Sequence, residues 1–138
     1  MGKHMKTVTT WKSGKAFTSN YNNHSIEVSG DGFSMKALLL SGLSGCSGID
    51  VVLILEKMRV PFADLDIVAE TEQTDIDPKV FKDIRLTYRI RTDEENREKV
   101  KKAIELSLTK YCGVSAMLGK HSKINYTLEL LPEAVIGQ

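Results

Sequence analysis

Strict alternation of apolar and polar positions is clearest between Lys82 and Arg91. Ile84, Leu86, Tyr88 and Ile90 fall on one side, and Arg85, Thr87, Arg89 and Arg91 on the other. That period of two predicts a half-buried strand. Ala63 to Thr71 shows the same pattern, with Leu65, Ile67 and Ala69 opposite Asp64, Asp66, Val68 and Glu70. The acidic outer face of one strand and the basic outer face of the other suit cross-strand pairing in a hairpin joined through Asp75-Ile76-Asp77-Pro78. A solvated sheet face is the simpler reading of the arginines, and a ligand-binding stripe the alternative. Lys123 to Leu131 forms a further strand with Ile124, Tyr126, Leu128 and Leu130 inward, ended by Pro132, after which the chain reads as loosely held. Upstream, Thr7–Lys12, Ala16–Tyr21 and His24–Val28 are short extended runs punctuated by Ser13-Gly14-Lys15 and the Asn20–Asn23 turn.

Two segments follow a helical pattern instead. Ser34 is placed to cap a helix from Met35 to about Met58. This helix is apolar on nearly all sides, so protein must cover both of its faces. Ser41, Ser44 and Ser47 repeat every three residues, and so do Gly42, Gly45 and Gly48. Each helical glycine costs about 1 kcal/mol relative to alanine. Close approach of another backbone or a ligand is the compensation expected, with this helix central and packed on a partner helix. The second helix opens at Thr92-Asp93-Glu94-Glu95, a capping-box pattern, and runs to about Tyr111 with Val100, Ala103, Ile104 and Leu108 on its apolar side. A short helical run follows Cys112-Gly113 and closes at Gly119. The order β-β-β-α-β-β-α-β is an α+β layout rather than a series of βαβ units.

Composition narrows the class. The 138 residues suit one domain, and a hydrophobic fraction of 41% with 27% charged is ordinary for a soluble globular chain. Nineteen basic against eighteen acidic side chains leave +1, with no basic stripe, so nucleic acid is not the expected partner. Met1 to Met5 reads as a cloning remnant ahead of an internal start, which leaves residues 6–138 as the domain and removes His4 from any site. The apolar run Met35–Met58 is long enough to cross a bilayer, but Lys36, Asp50 and Glu56 interrupt it. Asp50 at membrane depth would cost about 2.5 kcal/mol or more. A buried helix and no membrane partner are expected. With no signal peptide and two cysteines, a cytoplasmic location is the default.

Cys46 and Cys112 are the candidate chemistry. Cys46 lies in the small-residue ridge between Gly45 and Ser47, which leaves room for a substrate beside the sulfur. Cys112 stands at a helix break, where the N–H groups of the following helix favour a thiolate. The plainer alternative is that both are small buried hydrophobes. No metal-ligand spacing accompanies them, and no cofactor is expected.

Local sequence sharpens that choice. Met35-Lys36-Ala37-Leu38-Leu39-Leu40-Ser41-Gly42-Leu43-Ser44-Gly45-Cys46-Ser47-Gly48-Ile49-Asp50-Val51-Val52 resembles the first cysteine motif of the OsmC/Ohr family, especially its YhfA-like branch. Tyr111-Cys112-Gly113-Val114-Ser115-Ala116-Met117-Leu118 resembles the second, and the spacing of 112 − 46 = 66 residues fits as well. The resemblance implies curved antiparallel sheets wrapped around central helices in an intertwined homodimer, with active sites at the subunit interface. It further implies a peroxidase for organic hydroperoxides. Cys46 would be peroxidatic and Cys112 resolving, and a dihydrolipoamide-like dithiol would be the reductant.

Two features set this chain apart from the family pattern. Where the family peroxidases carry a glutamate ten residues before the first cysteine, this chain has Lys36. No arginine precedes Arg59, so Lys12, Lys15 and His24 are the basic residues of the strand region. Lys36 and His24 are therefore candidate supporting residues. Asp50, one turn after Cys46, would oppose thiolate formation if close and ionised. The non-enzymatic alternative is an interface pocket that binds an apolar small molecule, or thiols that sense oxidation.

Overall fold

The computed structural model describes residues 2–132; Met1 and the C-terminal stretch expected to be loosely held lie outside them. The chain divides into two compact units, residues 1–39 and 40–138.

The first unit is built on an antiparallel sheet of β1 (Val8–Ser13), β2 (Ala16–Tyr21) and β3 (His24–Ser29), in that order. Gly14 takes the left-handed conformation, φ 51°, that the β1–β2 turn requires. Trp11 Nε1 donates to the Gly14 carbonyl at 2.9 Å and pins the same turn. Helix α1 (Met35–Lys57) starts in this unit and continues into the second. Ser34 caps it as expected, its Oγ accepting from Ala37 N at 3.2 Å.

The second unit holds a three-stranded sheet of β4 (Ala63–Gln73), β5 (Phe81–Arg91) and β6 (Ile124–Leu131), with β5 central. β4 and β5 form the expected antiparallel hairpin. β5 and β6, however, pair in parallel, which corrects the expectation of wholly antiparallel sheets. The cause is the connection: a helical crossover between β5 and β6 brings the chain back to the same end of the sheet. The alternation holds residue by residue. Ile84, Leu86, Tyr88 and Ile90 of β5 are all essentially fully buried. Tyr88 also meets Tyr126 of β6 edge to face, ring centroids 6.1 Å apart.

On the outer face Arg85 binds Glu72 through two parallel hydrogen bonds of 3.1 and 2.7 Å, Arg91 pairs with Asp64 and Arg89 with Glu129. Each partner is a carboxylate of the same sheet, the arrangement expected of a solvated face.

The crossover begins with a tight turn at Glu94–Asn96, followed by α2 (Arg97–Leu106), a widened π turn at Ser107–Tyr111, and α3 (Gly113–Leu118). The capping box does not form. Thr92 Oγ1 donates to the Pro61 carbonyl at 2.7 Å and accepts from Asn96 Nδ2 at 3.0 Å, so it ties the turn to the loop before β4 rather than capping it. Gly119 follows α3, and no larger residue fits there because a Cβ would lie 2.6 Å from the Ser115 carbonyl oxygen. Val100, Ala103 and Ile104 of α2 join Leu43, Val51 and Leu55 of α1 and the inner face of β5 in one core. Each fully buried aliphatic side chain contributes about 1.5–3 kcal/mol.

Candidate active site

Helix α1 presents Leu43, Ser47, Val51 and Leu55 inward at four-residue spacing. Cys46 lies at the flank of that stripe, half-buried. The glycine ridge behaves unevenly. At Gly48 a Cβ would lie 3.0 Å from Ile67 Cδ1 of β4, whereas at Gly42 and Gly45 it would meet nothing within 4 Å. The close approach expected all along the ridge therefore occurs only at Gly48, and from a strand side chain rather than a helix. Gly45 and Gly48 instead line an open apolar cleft of about 520 Å³, walled by Ile49, Val52, Leu65 and Ile67.

Cys112 is buried, with 3% of its surface exposed, and both cysteines are free thiols. The crossover places Cys112 against Cys46 closely enough for the two side chains to interact. The Cys112 backbone N–H donates to the Ser107 carbonyl at 2.7 Å, closing the π turn, and its Sγ accepts from Ser115 N at 3.3 Å at the start of α3. Sequence alone favoured a thiolate here, and the structure reverses that. Burial pushes the Cys112 thiol above its ordinary value of 9.0, Cys46 pushes it the same way, and the Ser115 N–H opposes them without prevailing. Desolvation outweighs one peptide dipole at the end of so short a helix.

Asp50 is half-buried and belongs to a polar chain that the sequence did not disclose. Ser107 Oγ lies 2.9 Å from Asp50 Oδ2, 2.9 Å from Ser47 Oγ and 3.4 Å from the Ser47 carbonyl oxygen. Ser47 Oγ is 2.6 Å from the Tyr88 hydroxyl. The Ser107 hydroxyl points its proton toward Asp50 Oδ2 and Ser47 Oγ, and either hydroxyl of the Ser47–Tyr88 pair can donate. Burial holds the Tyr88 phenol protonated, its pKa pushed up to about 12 against the opposing Ser47 hydrogen bond, with Cys112 and Asp50 adding to the rise. Asp50 thus spends one carboxylate oxygen on a hydroxyl, and it borders a second hollow of about 350 Å³ together with Lys57 and Tyr111.

Ser47 was visible only as one of the evenly spaced serines of α1, and Ser107 carried no periodic signal, so their pairing stayed hidden. The clue available was a polar residue in the middle of each apolar stripe.

Lys36 and His24 belong to the first unit. Lys36 is half-buried in the first turn of α1, and His24 opens β3, exposed and in register with Tyr21. Of the five candidate residues, Cys46, Cys112 and Asp50 are gathered around one place. Among the described residues, no three or more His, Cys, Asp or Glu side chains gather as metal ligands.

Comparison with known proteins agrees with this layout. The profile of the OsmC-like protein family matches residues 28–127, spanning both cysteines. The chain belongs to the OsmC-like family. Protein YhfA of Escherichia coli K12 is 30% identical to it over 132 residues, covering 92% of this chain and 98% of YhfA. A hypothetical protein from Aquifex aeolicus VF5 superposes with a TM-score of 0.88 at 26% identity, over 96% of this chain and all of that one. An organic hydroperoxide resistance protein from Elizabethkingia anophelis shares the fold at a TM-score of 0.72 and 15% identity, over 95% and 99% of the two chains. The OsmC-like assignment thus rests on sequence and fold together. It also accounts for the membrane-length α1, whose inner stripe packs into the core.

Proposed function

We propose that this OsmC-like protein is a thiol-dependent peroxidase for organic hydroperoxides, acting in the reducing cytoplasm as an intertwined homodimer. The observation that carries the reading is the approach of Cys112 to Cys46, 66 residues apart in sequence, one half-buried on α1 and the other buried just before α3, with an apolar cleft opening on α1 at Gly45, the residue before Cys46.

In the first step the Cys46 thiolate attacks the distal peroxide oxygen. The O–O bond breaks, the alkoxide leaves and takes a proton as the alcohol, and Cys46 becomes a sulfenic acid. In the second, Cys112 loses its proton and its sulfur attacks that of Cys46, expelling hydroxide, which leaves as water, and forming the disulfide. An external dithiol then reduces the disulfide by exchange and is itself oxidised. The half-buried sulfur is the one positioned to meet a substrate, and the buried one keeps its proton until it is needed. The apolar walls of the cleft suit an alkyl or aryl hydroperoxide better than hydrogen peroxide.

The dimer reading draws on the outer side of α1. Ile49 is 64% exposed and Leu53 52%, next to Gly42 and Gly45 with open space before them. A second copy laid on this face would bury the apolar side chains and supply the neighbour that the glycines lack.

One equivalent of cumene hydroperoxide should remove both free thiols of the reduced protein rapidly, and Cys46→Ser should lose that reaction. Persistence of both thiols would end the enzyme reading. The cleft also supports a second reading, an apolar-ligand carrier, in which ligand retention survives Cys46→Ser.

A further inference from the structure

The π turn and α1 are joined by a side chain to which no role has been assigned. We propose that Ser107 is the positioning residue of the thiol pair, a single buried side chain that holds Cys112 with its carbonyl and the neighbours of Cys46 with its hydroxyl. The inference rests on the reading of Cys46 and Cys112 as a redox pair.

The geometry is unusually direct. Ser107 is fully buried and is the first residue of the π turn. Its carbonyl accepts the Cys112 N–H at 2.7 Å, an i to i−5 bond that only a widened turn makes. A regular helix would give that N–H to Leu108 instead, and each residue of helix turns the chain by about 100°. The extra residue therefore decides which way Cys112 points. Ser107 Oγ, 2.9 Å from both Ser47 Oγ and Asp50 Oδ2, grips α1 immediately after Cys46 and again one turn later.

The far end of the chain is anchored in the sheet. Ser47 Oγ meets the Tyr88 hydroxyl at 2.6 Å on the central strand β5, so the helix is fixed against rotation on the sheet as well as against the crossover. Buried hydroxyls bonded in series polarise one another and tolerate little misplacement. Removing Ser107 Oγ would leave Ser47 and Asp50 short of a partner and free α1 to shift against the π turn. A sulfur–sulfur bond accepts a narrow range of geometry, so such a shift weakens the disulfide before it unfolds the protein.

The test needs no hydroperoxide. The full-length wild-type chain and its variants are equilibrated with reduced and oxidised glutathione, and the Cys46–Cys112 disulfide is quantified by alkylation and mass. The equilibrium gives the effective concentration of one thiol toward the other. Ser107→Ala is expected to lower it tenfold or more, raising the reduction potential by about 30 mV per factor of ten. Asp50→Leu, which removes the acceptor from the other side of the same bond, should shift it in the same direction. Asp50→Asn, which retains an oxygen acceptor, should stay within a factor of two of wild type. Near-UV circular dichroism and urea unfolding of the reduced forms identify any variant that has lost its fold, and Asp50→Leu carries the test if Ser107→Ala does so. A merely structural serine would lower the urea midpoint and leave the potential of the folded protein unchanged; that result overturns the assignment. A wild-type chain that forms no disulfide at any glutathione ratio overturns the redox-pair reading, and the role of Ser107 with it. A wild type that closes normally beside a Ser107→Ala variant that closes equally well overturns Ser107 alone.

Discussion

The two sides of α1 obey different rules. The inner side buries Leu43, Ser47, Val51 and Leu55, and its one polar member is bonded to Tyr88 and Ser107. The outer side exposes Ile49 and Leu53 and carries two glycines with nothing before them. Cys46 sits at the flank of the buried stripe. An apolar helix can thus be half finished within its own chain: one side is specified by packing, and the other keeps small residues in reserve for something that arrives later. The reactivity proposed for Cys46 fits that boundary, where the inner side fixes a side chain's position and the outer side leaves it room.

Truncating the inner side should cost the most. Leu43→Ala is expected to destabilise the fold by about 2–5 kcal/mol in urea unfolding, with the same secondary structure before the transition. A loss below about 1 kcal/mol would mean that the inner side is not the packed one.

The buried phenol and thiol come next, through pH. The Tyr88 pKa is raised from 10.0 to about 12 in the folded chain, so its stabilising contribution is complete below pH 10 and is lost as pH rises through 12. Two units correspond to about 3 kcal/mol. The raised Cys112 thiol acts in the same direction, beginning near its ordinary value of 9.0. The urea midpoint should fall steadily from pH 9 to 11, and Tyr88→Phe should reduce the upper part of that fall, leaving the share of Tyr126, whose phenol is also pushed up to about 12. A flat profile would show that neither group is as buried as described. The raised thiol also sets a kinetic expectation. Closure of the disulfide after sulfenate formation should keep accelerating above pH 9, since the thiolate is the attacking species.

The outer side offers a smaller but more telling effect. In an isolated chain Gly45→Ala should stabilise α1 by about 1 kcal/mol through helix propensity alone, because its Cβ meets nothing. On a face pressed against a second copy, the same methyl should weaken association, and light scattering should show a larger monomer fraction. Ile49→Glu should do this more completely. A chain that is monomeric at micromolar concentration before any substitution would remove the dimer and leave the outer side to the apolar cleft. Smallest of all is Glu72→Gln. Its exposed pair with Arg85 decorates the solvated sheet, and the urea midpoint should not move measurably.

Much of this was legible in the sequence. Period-two alternation located β4, β5 and β6 with their inward residues, and Ser34 marked the start of α1. The two cysteine motifs gave the family. What stayed hidden is non-local. The parallel β5–β6 pairing depends on where a crossover lands, not on any residue of β6. The capping box at Thr92 looked sound locally, yet the Pro61 carbonyl captured its hydroxyl from another element. The π turn at Ser107 looks like uninterrupted helix because one extra residue leaves no compositional mark. The Cys112 thiol shows the same limit: its helix N-terminus can be read from the sequence, while its burial stood there only as the plainer of two alternatives.

The most direct test of the paired-thiol chemistry is peptide mapping after a single equivalent of cumene hydroperoxide, on the wild type and on Cys112→Ser, with dimedone present to trap sulfenic acid. The wild type should yield a Cys46–Cys112 linked peptide and no dimedone adduct, and Cys112→Ser should yield the adduct on Cys46. Unmodified thiols in both proteins, or an adduct on Cys112 of the wild type with Cys46 untouched, would contradict the roles assigned to the pair.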